Sequence, residues 1–206
     1  MIGIKRYDIM SVLRFSALFR LAMLFILLSG SVEINGQSLA VKSDLLSDAL
    51  LSPNVSMEPL LSAHWSMEVG IHYQPFSLDS RRRWKHWMGR IEFRHWSCSP
   101  YSGFYYGFHT LGGQFNVGDV HLPFGLYRGV RNFRYEGWVW GGGLSVGYQW
   151  ILSPRWGVEG SFGGGLVFAD YSRYRCGHCG ERMTSSWHKT YLGPTRAAIS
   201  LVYLLK

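Results

Sequence analysis

Residues 135–150 read YEGWVWGGGLSVGYQW. Trp138, Trp140, Leu144, Val146, Tyr148 and Trp150 take the even positions, and Val139, Gly141, Gly143, Ser145, Gly147 and Gln149 lie between them. Alternation with a period of two belongs to a β-strand, whose successive side chains point to opposite faces. One face of this strand is large and apolar; the other is mostly glycine and small polar groups. A soluble sheet hides its apolar face under a second layer of helix or sheet. The stretch therefore asks what covers it.

The same pattern recurs along the chain. In 64–73 (HWSMEVGIHY) one face holds Trp65, Met67, Val69, Ile71 and Tyr73, against His64, Ser66, Glu68, Gly70 and His72. In 85–96 (KHWMGRIEFRHW) Trp87, Ile91 and Phe93 oppose Arg90, Glu92 and Arg94, with Met88 and Trp96 at the ends of the polar face. In 156–168 Trp156, Val158, Phe162, Leu166 and Phe168 oppose Gly157, Glu159, Ser161, Gly163 and Gly165. No long helical period and no low-complexity tract supplies a covering layer. In an outer-membrane β-barrel the order is inverted, with lipid on the apolar face and a polar lumen. Trp65, Tyr73, Trp138, Trp150 and Trp156, near strand ends, fit the aromatic girdles of such barrels. The chain thus reads as all-β, a small antiparallel transmembrane β-barrel.

The connections give the strand number. Residues 61–63, 98–102 and Ser153–Pro154 are short, as periplasmic turns are, while 76–84, 118–132 and 176–187 are long, as extracellular loops are. With Ala40–Leu50 as a first strand and Ser52–Pro53–Asn54 as a turn, the count is eight. Within that region VKSDLLSDALL equally suits a short amphipathic helix, and one bent strand through Pro53 is a further reading.

Lys5, Arg6, Arg14 and Arg20 precede the apolar run Leu21–Leu28, which is far shorter than the roughly 20 residues of a spanning helix. A basic lead-in and a short apolar run, followed by small residues, describe a secretory signal over 1–36. No cysteine follows the run, which disfavours a lipid anchor. The barrel domain is then 37–206, and removing the signal leaves a formal charge of +6. An exported chain without a recurring basic–aromatic motif is not expected to bind nucleic acid. The 25 glycines and 16% aromatic content depart from an ordinary soluble domain.

Eight strands leave an interior that side chains can fill or that holds one small ligand. Inward Glu68, Arg90, Glu92, Arg94, Glu159 and Arg196 are expected to neutralise one another there, since an unpaired buried charge is costly. Pairing of Glu92 with its strand neighbours Arg90 and Arg94 is the simplest scheme. The lumen is expected to be plugged, with glycines making room for the arginines.

Three other features carry chemistry. Cys176-Gly177-His178-Cys179-Gly180 has the spacing of a small disulfide loop, half a zinc site or a redox dithiol. An oxidising compartment favours a Cys176–Cys179 disulfide, and Cys176, Cys179 and His178 are the metal alternative. Cys98 lies in a turn at the opposite end. Arg81-Arg82-Arg83-Trp84-Lys85-His86 is the one basic run, at the outer rim by parity. Arg81, Arg82, Arg83 and Lys85 there suit lipopolysaccharide phosphates, or a solvated loop. His72 and His109 could partner Glu68, Glu92 or Ser161, but no local pattern marks a catalytic group, and G-G-G-L lacks the helix and Lys-Ser/Thr of a phosphate loop. No enzyme activity and no cofactor is expected.

KHWMGRIEFRHW, YEGWVWGGGLSVGYQWILSPRWGVEGSFGGG, YRCGHCGE and YLGPTRAAISLVY together resemble the domain of unknown function 3575 family. The resemblance runs from about residue 40 to the end; its most specific parts are the glycine-rich strand pair and the C-G-x-C-G loop. It implies an outer-membrane-barrel-like protein of Gram-negative gut and oral bacteria, without an established reaction. It also implies a role in surface assembly, because some members are encoded beside fimbria or pilus genes. The expected partners are outer-membrane lipid, including lipopolysaccharide, and surface-assembly or fimbrial proteins. One departure from the general barrel pattern is the last strand, which ends Tyr203-Leu204-Leu205-Lys206 instead of on an aromatic.

Overall fold

The period-two pattern folds as strands. A computed structural model describes residues 39–50, 52–75, 83–118, 133–174 and 182–205. The strands are β1 (Leu39–Asp44), β2 (Asn54–Pro59), β3 (Trp65–Gln74), β4 (Arg83–Trp96), β5 (Gly103–Gly118), β6 (Arg134–Ile151), β7 (Trp156–Tyr174) and β8 (Arg182–Leu205), with one helix, α1 (Leu45–Ala49). Each pairs antiparallel with the next, and β8 returns to β1 to close a barrel. The outward side chains are the apolar ones: Leu144 is 71% exposed and Trp140 56%. Glu58, Glu92, Arg94 and Glu159, all wholly buried, point inward. The polarity is inverted relative to a soluble sandwich.

Strand tilt can be read from the register. Stepping across paired residues from Val41 through Met57, Val69, Ile91, Thr110, Gly142 and Leu166 leads to Leu192. Leu192 lies eleven residues before Tyr203, the residue that actually faces Val41. An offset of this kind is the stagger that a tilted closed barrel requires.

Three local features depart from plain alternation. The strand expected over Ala40–Leu50 stops at Asp44, and α1 replaces its second half. Asp44 caps that helix, accepting from Leu46 N (3.1 Å) and Ser47 Oγ (2.6 Å), as short polar side chains do at helix starts. Asn54 locks the return, accepting from Asp44 N (2.7 Å) and donating to Asp44 O (3.0 Å).

The second feature is a bulge in β8. Gly163 faces Arg196 but Gly164 faces Pro194, which leaves Thr195 without an opposite residue. Proline has no N–H to give a ladder and is tolerated inside a sheet at such bulges. The extra residue switches side-chain parity, so that Leu192 is outward and 78% exposed while Arg196 is inward and buried.

The third is height. β1 and β2 have six residues each, against 18 in β6, 19 in β7 and 24 in β8. The β1–β8 ladder ends at Asp44 and Ser200, where Ile199 N reaches Asp44 Oδ1 (3.3 Å). Beyond it β8 rises paired with β7 on one side, with no strand on its β1 side among the described residues. The wall is notched over β1–β2, and α1 packs against β8 in the notch.

At the end carrying the short turns, Ala40, Trp96, Tyr101, Tyr105 and Val202 form a buried cluster, with Leu60 and Leu204 against it. Tyr101 holds a left-handed backbone (φ 60°), costly for a bulky residue. Its ring is buried against Trp96 and its hydroxyl donates to Glu58 O (2.9 Å). Burial pushes that hydroxyl up from its usual range, so it stays protonated as a donor. This end of the lumen is closed.

Candidate functional site

Directly above the aromatic floor lies a balanced set of charges. Lys42 (β1), Arg90 and Arg94 (β4) and Arg196 (β8) meet Glu58 (β2), Glu68 (β3), Glu92 (β4) and Glu159 (β7). Four cations therefore face four carboxylates. Arg94 is the hub. Its Nη1 reaches Glu58 Oε2 at 2.7 Å and Glu159 Oε2 at 3.0 Å, and its Nη2 reaches Glu92 Oε2 at 3.4 Å and pairs with Glu68. Lys42 bridges Glu58 and Glu159. Arg196 pairs with Glu92 and donates through Nε to Ser161 Oγ (2.8 Å).

Neutral donors satisfy the remaining oxygens. Tyr105 donates to Glu159 Oε1 (2.6 Å), Ser145 to Glu92 Oε1 (2.5 Å), and Ser66 to Glu58. The Tyr105 ring also lies beneath the Arg94 guanidinium, 4.5 Å from its carbon. Glu58, Glu68 and Glu159 place oxygens within 4.8 Å of one another, as a metal site would. Those oxygens are turned to Lys42 and Arg94, so the chain's own cations fill the role of a metal ion.

All six lumen charges expected from the sequence lie in this network. The pairing follows the simplest scheme in part: Glu92 keeps its strand neighbour Arg94 (3.4 Å) but takes Arg196 from across the lumen as its other cation, and Arg90 turns to Glu68 (2.9 Å). Lys42 and Glu58 went unforeseen because the ambiguity of 40–61 left them without a face. The signal was there in Ala40, Lys42 and Asp44 alternating with Val41 and Ser43.

Glycine makes space for this packing at Gly147, where an added Cβ would strike the Tyr105 ring. Gly147→Val should push Tyr105 off Glu159 and cost about 1–3 kcal/mol, the usual penalty of overpacking. Denaturant unfolding checks it; a loss of a few tenths would mean the ring has room to move.

Two cavities lie above the charges. One of about 230 Å3 touches Asp44, Ser47 and Leu50 on the α1 side, Met88, Arg90 and Leu111 within the lumen, and Thr195–Ala197 on β8. Ser52 Oγ and His86 Nε2, 2.9 Å apart, are also on its wall. His72 lines it too, and His109 Nε2 meets Thr195 Oγ1 at 2.8 Å. The other cavity, about 560 Å3, is at the long-loop end, lined by Gln74, His86, Phe115, Asn116 and Tyr171 among others. Rim groups there pair locally, Arg134 with Glu136 and the His188 ring with Asp170.

The remaining expectations fall elsewhere. Cys176, Cys179 and His178, Arg81 and Arg82, and the signal over 1–36 lie outside the described residues. Arg83 begins β4, and Lys85 is exposed on that strand. Cys98 is free and exposed in the β4–β5 turn.

Comparison with known families matches residues 22–205 to the family described as Protein of unknown function (DUF3575). No curated protein and no solved structure matches the chain.

Proposed function

The chain belongs to that DUF3575 family, and from this premise and the barrel geometry we propose that it is an outer-membrane β-barrel with a structural or surface-interaction role. The observation that carries the reading is the outward face. Tryptophan, tyrosine, phenylalanine, leucine and valine stand exposed along β3, β5, β6 and β7, in a protein that buries Lys42, Glu58, Glu68, Glu92, Arg94, Glu159 and Arg196 inside. Exposed apolar area on this scale is untenable in water and is what the lipid-facing band of an outer-membrane barrel presents. The aromatic floor and the paired charges above it favour a plugged barrel over a pore. The long-loop end then faces outside, where Lys85 and the neighbouring Arg81–Arg83 meet lipopolysaccharide phosphates. Surface-assembly or fimbrial proteins are the partners that the family resemblance implies.

A second reading, a barrel that binds or acts on a lipid or small ligand, draws support from the side cavity beside α1.

The test is fractionation. The protein should sediment with outer membranes, migrate faster on gels when unheated than when boiled, and give no steady conductance in planar bilayers. Recovery as a soluble periplasmic protein would remove the membrane reading; a stable conductance would remove the plugged lumen.

A further inference from the structure

We infer that Ser52 and His86 are the nucleophile and the general base of an ester-hydrolase site in the cavity beside α1, acting on carboxylic esters of a short acyl group. Ser52 Oγ and His86 Nε2 are 2.9 Å apart. Over that distance an imidazole can take the proton of a serine hydroxyl as its oxygen attacks. Ser52 precedes β2, His86 lies on β4, and β3 runs between those strands. The curvature of the closed sheet is what brings the two side chains together.

Each member is held from its own side. Ser52 N donates to Ser47 O (2.9 Å), and Tyr73 N donates to the next carbonyl, Pro53 O (3.0 Å). These bonds fix the backbone that carries the hydroxyl to α1 and to β3. His86 stands in a cross-strand row between Gln74 on β3 and Phe115 on β5. A serine–histidine hydrogen bond can be no more than a tie between two elements. Here both residues line the 230 Å3 cavity, which gives a carbonyl group room to reach them. Leu50, Met88 and Leu111 are its apolar lining, and His72 and Arg90 bring N–H groups to it. An acyl chain suits the first set. The oxyanion that forms on its carbonyl needs donors of the second kind, and the Arg90 side chain is 14% exposed. The cavity is smaller than the roughly 300–1,000 Å3 of pockets for drug-sized ligands, which limits the acyl group to a short one.

The reaction balances without a cofactor. Ser52 Oγ bonds to the ester carbonyl carbon while its proton passes to His86 Nε2. The tetrahedral intermediate then breaks its bond to the alcohol oxygen, and the alcohol leaves with that proton. Water adds to the acyl-serine in the same way, giving a proton to Nε2. That proton returns to Ser52 Oγ as the carboxylic acid departs. None of these steps depends on what covers the outward face.

The test uses the full barrel refolded in detergent micelles, with the folding of every variant checked by gel mobility before boiling. Diisopropyl fluorophosphate should phosphorylate Ser52 Oγ with loss of fluoride, as located by peptide mass. p-Nitrophenyl butyrate should be hydrolysed. Ser52→Ala should bring that to background, and His86→Gln should lower kcat/KM about 10²–10⁴-fold, the usual worth of a positioned base. A thiol at the same place gives a second readout should the alanine variant not fold. With Cys98, Cys176 and Cys179 changed to serine, Ser52→Cys should react with iodoacetamide about tenfold faster beside His86 than beside His86→Gln, because a neighbouring imidazole favours the thiolate. No label on Ser52, a label without butyrate hydrolysis, hydrolysis indifferent to His86→Gln, or equal iodoacetamide rates would overturn the site and leave the membrane reading intact.

Discussion

Arg94→Met should destabilise the barrel by about 3–5 kcal/mol, the cost of removing one partner from a buried ion pair. The reason is arithmetic inside the lumen. Arg94 serves Glu58, Glu68, Glu92 and Glu159, and without it four carboxylates share only Lys42, Arg90 and Arg196. The side chain has no exposed surface, so screening by water is small. Ordinary buried ion pairs add little over apolar packing, and the size of this effect comes from the charges left behind. Neutralising one of them should therefore give some of it back. Glu159→Gln combined with Arg94→Met should be more stable than the sum of the single changes, with a coupling of about 0.5–3 kcal/mol. Urea titration of the refolded protein, followed by tryptophan fluorescence, measures both. A single-variant loss below about 1 kcal/mol, with no coupling, would mean that water reaches these carboxylates and that the lumen is wet.

The second large effect lies on the opposite face. Leu144→Arg should cost about 2–4 kcal/mol in a bilayer, because a cation at mid-depth on the lipid face of a barrel has no counter-charge and little water. Thr190→Arg, on the exposed stretch of β8 toward the long-loop end, should cost about 0–1 kcal/mol. Leu144 is 71% exposed, so loss of internal packing contributes little to the difference. Folding yield into vesicles, followed by the shift in gel mobility before and after boiling, separates the two variants. If Leu144→Arg folds as well as the parent, water and not lipid covers this face, and the membrane reading falls with it.

The network also bears on how the barrel closes. Lys42 sits on β1 and Arg196 on β8, the two strands whose pairing completes the ring. Both bind carboxylates from β2, β3, β4 or β7. A register slip of one residue at that seam would turn Lys42 outward and leave Glu58 and Glu159 short of a cation. The charges thus specify one register even where their net gain in energy is small.

How much of this was legible in the sequence depends on the distance over which each feature is encoded. Alternation is local: Trp138 and Trp140, or Arg94 and Glu92, are two residues apart, and a strand's period of two fixes their common face whatever lies beside them. That was enough for the eight strands, the inverted polarity and six of the eight lumen charges. It failed at 40–61, where Asp44, Ser47 and Asp48 can cap a helix as readily as Val41 and Val55 can sit in a strand, and Lys42 and Glu58 were lost with it. The identity of the partners was never local. Glu92 and Arg196 are 104 residues apart, and Arg94 and Glu159 are 65 apart. Barrel closure and stagger bring them together, and the Thr195 bulge turns Arg196 inward. The notch was also beyond reach of the sequence, because a short strand is a gap only beside a tall one, and which strands stand side by side at the seam is decided when the sheet closes on itself.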